Sequence, residues 1–233
     1  MVALTGAGIS RESGVPTFRD AQDGLWARYD PMELASPEGF RRDPALVWRW
    51  YGWRRELVSQ AQPNRGHHAL VRLEKLVPRL TVITQNVDGL HRAAGSRDVV
   101  ELHGNLQRFK CFKHGHPVAA EILSADERVP PRCPQCGAPV RPDVVWFGEH
   151  LPEAVLRRAW EEAVAADVLL VVGTSGLVQP AASLPLAAGC TGARTIEINP
   201  DRTPLTPHVD LHLSGPAGAI LPALVDAVTD HPL

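Results

Sequence analysis

Polar residues follow several short apolar segments of this chain, the position from which side chains of an α/β protein reach a ligand. Gly6 and Gly8 end the first such segment, and backbone amides at a glycine turn can face a pyrophosphate. Amide and carboxylate side chains follow the segment 80–84, and these groups can hold a ribose or a carboxamide. His103 ends a third segment, and an imidazole with a pKa of about 6.5 can serve as a general base. Together they predict a phosphate-bearing ligand beside a proton acceptor.

Each position also has a structural interpretation, which stays open at this point. The two glycines lack the third glycine of the dinucleotide fingerprint, because Arg11 stands in its place, so a tight turn without a ligand would explain them. Asn86 and Asp88 could cap the next helix, and a single histidine at a strand end is more often structural. Polar groups nevertheless follow two more segments, at Gly173, Thr174 and Ser175 and at Asn199, Pro200 and Asp201. Several polar strand ends in one sheet favour a ligand along its edge.

Cysteines form a second group of residues that could do chemistry, in this case by binding a metal ion. Cys133 and Cys136 have the Cys-x-x-Cys spacing of half a zinc site. Cys111 and His114 offer the other half, which predicts a Cys3His site, although His116 is a second candidate for the fourth ligand. With all four positions filled by protein, a bound zinc ion would be structural.

The elements that must position these residues alternate along the chain. Helical patterns at 67–77 and 153–166 lie between short apolar runs, which predicts β-α-β units and an open, doubly wound, mostly parallel sheet. We read the following segments as buried strands: 2–5, 80–84, 99–102, 167–172, 195–198 and 209–213.

Two stretches interrupt this alternation. A helix is predicted over 43–60, where Asp43 can cap and Leu46, Trp50, Trp53 and Leu57 form an apolar stripe. The segment 106–140 is rich in cysteine, proline and glycine, which is typical of a small loop-built module. We therefore predict a large domain built from 1–24, 66–105 and 142–233, a helical insertion at 25–65, and a zinc-ribbon-like module at 106–141.

Composition excludes several classes of protein. The chain has 24 basic and 26 acidic side chains and a net charge of -2, so binding to nucleic acid through bulk charge is not expected. No apolar run approaches the roughly 20 residues that span a bilayer, and no secretory signal precedes the first strand, so we predict a cytoplasmic protein. Thiols stay reduced there, and Cys190, which has no partner nearby, is predicted to be a buried apolar residue.

Taken together, the motifs closely resemble those of the sirtuins, NAD-dependent protein deacylases. They stand in order over nearly the whole chain: Gly6-Ala7-Gly8-Ile9-Ser10, Ser13-Gly14-Val15-Pro16-Thr17-Phe18-Arg19, Thr84-Gln85-Asn86-Val87-Asp88-Gly89-Leu90-His91, His103-Gly104, Trp146-Phe147-Gly148-Glu149, Gly173-Thr174-Ser175 and Asn199. The resemblance implies a Rossmann-like domain for NAD, a smaller domain with a zinc ribbon, and an acyl-lysine peptide held between them. Because the first strand begins at the second residue, where the family usually has a preceding helix, the start of the chain is expected to be shortened or incomplete.

The resemblance also implies roles for individual residues. His103 matches the catalytic base, with Asn86 and Asp88 beside it, and the acyl oxygen is implied to attack the nicotinamide ribose. Nicotinamide then leaves, and His103 helps a ribose hydroxyl to attack the resulting imidate, which yields free lysine and O-acyl-ADP-ribose. The residues implied to contact NAD are Gly6, Ala7, Gly8, Ser10, Thr17, Phe18, Arg19, Trp26, Gln85, Asn86, Asp88, Gly173, Thr174, Ser175, Asn199, Asp201 and Ala217.

A second part of the resemblance concerns the acyl group that the enzyme removes. Tyr51 and Arg54 lie one turn apart on the predicted helix, like the pair of the sirtuin branch that removes succinyl and malonyl groups, and Ala35 matches its small pocket residue. A surface arginine that snorkels is the alternative. The backbone of Val145, Trp146 and Phe147 is implied to pair with the substrate peptide.

Other functions compete with this interpretation. ADP-ribosyl transfer to protein shares the cleavage of NAD, and an NAD-dependent dehydrogenase would use a similar sheet. The incomplete glycine fingerprint disfavours the dehydrogenase. A non-enzymatic zinc-ribbon module would leave Gln85 and His103 unexplained. We expect a monomer that acts on acyl-lysine side chains of proteins.

Overall fold

The computed structural model describes residues 1–16, 29–121 and 128–230. Six parallel strands form the main sheet, in the spatial order β3-β2-β1-β7-β8-β9. They are β1 (Val2–Thr5), β2 (Thr81–Thr84), β3 (Val99–Glu101), β7 (Val168–Val172), β8 (Arg194–Asn199) and β9 (Leu211–Ser214). The chain runs outward from β1 in both directions, so the order of the sheet reverses between β1 and β7. This confirms the predicted doubly wound sheet and places its ligand-binding crevice at the ends of these two strands.

Helices cover both faces of this sheet because its central strands are apolar on both sides. One face carries α4 (Arg65–Leu76) and α8 (Ala217–Asp230), and the other carries α6 (Glu153–Val164) and α7 (Leu184–Cys190). Leu170 in the centre of β7 is completely buried against α4 and α8, and its neighbour Leu169 is completely buried on the other side. The two cores hold the strand ends in fixed register.

A smaller unit lies beside the carboxyl ends of the strands. It consists of α1 (Pro31–Leu34), α2 (Pro37–Arg42), α3 (Pro44–Gln60) and an antiparallel sheet of β4 (Gly104–Cys111), β5 (Pro117–Val118) and β6 (Val140–Val144), in the order β5-β4-β6. The short helix α5 (Leu90–Ala94) follows the end of β2. Asp43 caps α3 as predicted, since its Oδ1 accepts a hydrogen bond of 2.9 Å from the amide of Leu46.

The predicted buried face of α3 is wrong in detail. Trp50 is buried, but Leu46, Trp53 and Leu57 are only partly buried. The buried residues are instead Val47, Trp50, Tyr51 and Val58, which pack with Phe40 and Trp146. Two neighbouring stripes of this helix are apolar, and its aromatic partners select the one that contains Tyr51.

Cys190 also differs from the prediction, because it is exposed. The apolar face of α7 is formed by Leu184 and Ala188, one turn apart, and a residue two positions further points to the opposite side. Within the described ranges, none of the helices has the length and apolarity needed to cross a bilayer.

Candidate active site

A cavity of about 1800 Å³ opens where the order of the main sheet reverses, between the strand ends and the smaller unit. Its volume exceeds the roughly 300–1,000 Å³ of a typical small-ligand pocket, so a dinucleotide and a second substrate can be accommodated together. The cavity brings together the described residues of the predicted site: Gly6, Ala7, Gly8, Ser10, Ala35, Tyr51, Arg54, Gln85, Asn86, Asp88, His103, Val145, Trp146, Phe147, Gly173, Thr174, Ser175, Asn199, Asp201 and Ala217. Thr17, Phe18, Arg19 and Trp26 lie outside the described residues.

The glycine turn after β1 packs directly against the turn after β7. The amide of Gly8 donates to the carbonyl oxygen of Gly173 at 2.8 Å, and a Cβ atom on Gly8 would lie 2.7 Å from the Gly173 backbone. A Cβ on Gly6 would be 2.8 Å from the backbone of Thr174. The close approach of two backbones therefore explains these glycines, and it leaves a side-chain-free wall on the cavity that suits a phosphate.

Asn86 and Asp88 are buried at the end of β2, and both are tied to Ser10. The Ser10 hydroxyl donates to Asp88 Oδ2 at 2.7 Å, and the Asn86 amide donates to the Ser10 hydroxyl and to the Gly6 carbonyl, each at 3.1 Å. Burial raises the pKa of Asp88 above its usual value, against the lowering effect of its hydrogen bonds. Asp88 Oδ1 also accepts from the amide of Leu90, the first residue of α5, at 2.9 Å, although the N-cap residue of that helix is Gly89. A bond to the start of the helix and a location in the cavity therefore coexist.

His103 is held so that one ring nitrogen is left for chemistry. Its Nδ1 lies 3.0 Å from the carbonyl oxygen of Gln85, which can only accept, so Nδ1 carries the proton and Nε2 is the acceptor. Burial lowers the pKa of His103 below its usual value, although the hydrogen bond to Gln85 opposes this shift. Gly104 has a positive φ of 82°, and a Cβ there would lie 2.1 Å from the Asp143 carbonyl oxygen, so the turn that presents His103 requires glycine. A neutral imidazole of this kind can act as a general base.

The remaining strand ends are joined through Thr174. Gln85 donates to the Thr174 hydroxyl at 2.9 Å, and Asn199 donates to the Thr174 carbonyl at 2.8 Å. These bonds link the ends of β2, β7 and β8 into one wall.

Glu197 supports this wall and was not predicted from the sequence. It is completely buried in β8, and its carboxylate accepts hydrogen bonds from the hydroxyls of Thr203 and Thr206. These bonds fix the loop that carries Asp201 and Leu205, and Leu205 packs where Gly176 has no side chain. A charged residue between two isoleucines of a buried strand was the signal in the sequence.

The cavity lining includes the predicted acyl-binding residues. The Tyr51 hydroxyl accepts a hydrogen bond of 2.9 Å from the indole Nε1 of Trp146, and burial raises the pKa of Tyr51 to about 12. The Arg54 guanidinium lies 5.1 Å from the ring centroid of Trp50 and 5.9 Å from that of Tyr51, and burial lowers its pKa. Arg54 is partly buried and lines the cavity, unlike a side chain that extends into solvent. Both side chains can donate hydrogen bonds to an anion, and Arg54 also attracts it through its positive charge.

The segment 145–147 follows directly after β6, and its three amides are already engaged. Val145 donates to the His103 carbonyl and Phe147 to the Ala35 carbonyl, each at 2.9 Å, and Trp146 donates to the Glu149 carboxylate at 2.8 Å. Any peptide strand that pairs here must therefore use the carbonyl oxygens of the segment as acceptors.

Three cysteines and a histidine form a compact group at the tip of the smaller unit. The Sγ atoms of Cys111 and Cys136 are 3.4 Å apart, and Cys133 Sγ lies 3.6 Å from His116 Nδ1. These two distances match the roughly 3.3–3.8 Å between the ligands of a tetrahedral zinc site, and all four ligand atoms lie within 4.8 Å of one another, so the donor set can hold zinc.

The predicted ligand His114 is not in this group, and His116 takes its place. The chain turns at Gly115, which has a positive φ of 69°, and brings the His116 carbonyl to 2.8 Å from the Cys111 amide. His116 thereby faces the sulfur atoms, whereas His114 contributes only its backbone amide, at 3.4 Å from Cys111 Sγ.

Two buried histidines lie beneath the glycine turn. His91 Nε2 is 2.9 Å from the Thr5 hydroxyl, and its ring centroid is 4.9 Å from that of His67. His67 Nδ1 accepts from the amide of Asn64, whose side chain in turn donates to the Ile9 carbonyl at 2.7 Å. Burial lowers the pKa of His67 to about 4 and that of His91 to about 3, so both are neutral at pH 7.

We expect acid to destabilise the protein through these histidines. Their pKa values in the folded protein lie below the value of about 6.5 in the unfolded chain, so the unfolded state binds more protons as the pH falls below 6.5. The free energy of unfolding should fall by about 1.4 kcal/mol per pH unit for each histidine between pH 6.5 and about 4. Urea unfolding of His67→Gln over this range should show a shallower pH dependence than the unsubstituted protein. His68→Gln, at the exposed neighbouring position, should keep the pH dependence of the unsubstituted protein. Equal slopes for all three proteins would contradict the assignment of this effect to the buried histidines.

Comparison with known proteins gives a consistent set of relatives. A model of the Sir2 family matches residues 6–180. A protein of Pyrobaculum aerophilum named NAD-dependent protein deacylase 2 is 56% identical over 228 residues, covering 97% of this chain and 90% of the relative. A protein of Archaeoglobus fulgidus named NAD-dependent protein deacylase 1 is 54% identical over 226 residues, covering 97% of this chain and 91% of the relative.

Solved structures agree with these relatives. A Sir2 homologue in complex with NAD has a TM-score of 0.90 and 52% identity, with 98% of this chain and 89% of that chain covered. A mutant Sir2 homologue in complex with 2'-O-acetyl ADP ribose has a TM-score of 0.89 and 53% identity, with 98% and 91% covered. A Sir2 complex with a p53 peptide and NAD+ has a TM-score of 0.86 and 32% identity, with 98% and 93% covered.

Proposed function

The chain belongs to the Sir2 family and is an NAD-dependent protein deacylase, and we propose that its substrates include lysines that carry the acidic acyl groups succinyl and malonyl as well as acetyl. The observation that carries this proposal is the pair Tyr51 and Arg54 in the lining of the cavity. The names of the relatives specify deacylation without an acyl group, so the preference is argued from this chain's own residues.

NAD fits the part of the cavity formed by the main sheet. The side-chain-free wall of Gly6, Gly8 and Gly173 suits the phosphates, and the buried amides and carboxylate at the end of β2 suit a ribose and a carboxamide. NAD supplies an ADP-ribosyl group that accepts the acyl group, with nicotinamide as the leaving group. We assign NAD binding to the predicted domain 1–24, 66–105 and 142–233, and the acyl-lysine peptide to the cleft between it and the modules 25–65 and 106–141.

His103 is the proposed general base. Its protonated Nδ1 is committed to the Gln85 carbonyl, so Nε2 is the atom that accepts a proton from a hydroxyl group of the bound substrate. Asn86 and Asp88 are proposed to orient that hydroxyl, because Ser10 fixes both side chains toward the cavity.

Arg54 and Tyr51 provide the basis for recognising an acidic acyl group. A guanidinium remains charged at neutral pH even where burial lowers its pKa. A carboxylate would therefore gain a charge-assisted hydrogen bond there, which is worth about 1.5–3 kcal/mol. Acetyl has no carboxylate, so it cannot gain this bond.

We expect Arg54→Met to lower kcat/KM for desuccinylation about tenfold to a hundredfold more than kcat/KM for deacetylation. Both activities should be measured on one peptide sequence that carries either succinyl-lysine or acetyl-lysine. Arg55→Met is the matched control, because Arg55 lies next in the chain but stacks on Trp48 and Phe109 away from the cavity. Equal losses on the two substrates in Arg54→Met would contradict the proposal.

The same assay separates deacylation from the competing transfer reaction. Peptide mass and nicotinamide release should be followed together, and loss of the acyl group with one nicotinamide per event is expected. A gain of ADP-ribose by the peptide would support ADP-ribosyl transfer instead. We further propose that the enzyme does not bind nucleic acid, on the basis of its near-neutral charge, and we retain the sequence-based predictions of a monomer and of a cytoplasmic location.

A further inference from the structure

Trp146 connects two elements of the cavity, because its almost completely buried side chain is hydrogen-bonded to Tyr51. Its indole Nε1 donates to the Tyr51 hydroxyl at 2.9 Å, and both side chains are only 2% exposed. The two rings are stacked, with their centroids 6.2 Å apart and an interplanar angle of 27°. The indole belongs to the segment 145–147, whereas Tyr51 belongs to α3.

The chemistry of the two groups decides where the Tyr51 proton goes. An indole N–H can only donate, so the Tyr51 oxygen must accept from it. The hydroxyl proton is then left for another acceptor, and no protein acceptor for it is found within the ranges that the structure describes. Tyr51 lines the cavity beside Arg54, so its hydroxyl can donate this proton to an oxygen atom of a bound ligand.

Trp146 is itself fixed from the opposite side. The guanidinium carbon of Arg141 lies 3.2 Å from the Trp146 ring centroid, and Arg141 makes two hydrogen bonds to Glu149, at 2.5 and 2.9 Å. Glu149 also accepts from the Trp146 amide at 2.8 Å. The Arg141–Glu149 ion pair therefore packs against the indole ring and holds the backbone amide of Trp146.

We propose that Trp146 is a specificity-determining positioning residue, whose indole N–H holds the Tyr51 hydroxyl as a hydrogen-bond donor toward the carboxylate of an acidic acyl group. This inference rests on the proposed acyl preference and adds Trp146 as the residue that orients the Tyr51 hydroxyl. Acetyl has no carboxylate to receive the Tyr51 proton, so Trp146 should affect the ratio of the two activities more than deacetylation itself.

The test compares kcat/KM for succinyl-lysine and acetyl-lysine in one peptide. Trp146→Phe removes the N–H and should lower the succinyl-to-acetyl ratio about three- to tenfold, chiefly through KM for the succinylated peptide. Replacement of Trp146 by 3-benzothienylalanine, which keeps the fused rings and puts sulfur in place of N–H, should give the same drop if the hydrogen bond rather than packing is responsible. Trp160→Phe, at a 41% exposed position on α6, is the control and should leave the ratio unchanged.

A double-mutant cycle shows whether Trp146 acts through Tyr51. Tyr51→Phe alone should lower the ratio, and adding Trp146→Phe to it should cause no further drop. An unchanged ratio in the benzothienylalanine protein, or a full additional drop in the Tyr51→Phe background, would overturn the inference. Failure of the acyl preference is distinguishable, because Arg54→Met would then also leave the ratio unchanged.

Discussion

Replacing His103 with glutamine is expected to reduce deacylation by about 10²–10⁴-fold, the contribution typical of a positioned general base. Glutamine keeps a donor that can reach the Gln85 carbonyl but offers no basic nitrogen at the position of Nε2. The free energy of unfolding should change little by comparison, which urea unfolding can verify. His208→Gln, at an exposed position outside the cavity, is the control.

The step at which His103 acts can be isolated. In the order that the Sir2 resemblance implies, nicotinamide leaves before His103 is needed, so exchange of labelled nicotinamide into NAD should persist in His103→Gln with an acylated peptide present. Loss of exchange in parallel with deacylation would contradict the role of a late general base. Because burial lowers the pKa of His103, the rate of the unsubstituted enzyme should decline on acidification at a lower pH than an ordinary imidazole would give.

Cys133→Ser is expected to remove zinc from the protein and to unfold the tip of the smaller unit. Cys133 is 2% exposed and packs with Phe109, Val118 and Val140, in a cluster with few other apolar residues. Structural zinc contributes on the order of 10 kcal/mol to small zinc modules, more than so few apolar contacts can replace. Metal analysis should fall from about one zinc per chain to near zero.

Hydrogen exchange can localise this effect. Protection should be lost over 104–118 and 128–144 while the parallel sheet stays protected. Cys190→Ser, at the exposed cysteine outside the cluster, should retain both zinc and protection. Less than half a zinc ion per chain in the unsubstituted protein would refute the site outright. His116→Ala should weaken zinc binding in a chelator titration, whereas His114→Ala should leave the affinity unchanged.

The sheet could be predicted from the sequence because its strands are continuous apolar runs. Five of the six predicted runs overlap the observed strands to within one residue at each end, and β9 begins two residues later than predicted, after a short turn that ends at His208. The common edge of the polar strand ends also followed, since the carboxyl ends of parallel strands lie along one edge of a sheet. This is why His103, Asn86 and Asn199 were identified without coordinates.

The features that could not be predicted from the sequence depend on contacts between distant segments. His114 and His116 are equally good ligands by spacing, and only the turn at Gly115 decides between them. The two apolar stripes of α3 are distinguished by the aromatic residues of other elements. The partners of Glu197 come from a loop beyond the strand, and the indole that contacts Tyr51 lies 95 residues away.

The close contact between Gly8 and Gly173 affects which residues an inactive relative of this protein would keep. A relative that has lost all catalytic side chains would still need both glycines, because any Cβ would separate β1 from β7 at the centre of the sheet. Selection for stability alone would preserve the motif after activity had gone. Inactive descendants should therefore be recognised by the decay of His103 and Asn86, and the persistence of the glycine pair should not be counted as evidence of a working enzyme.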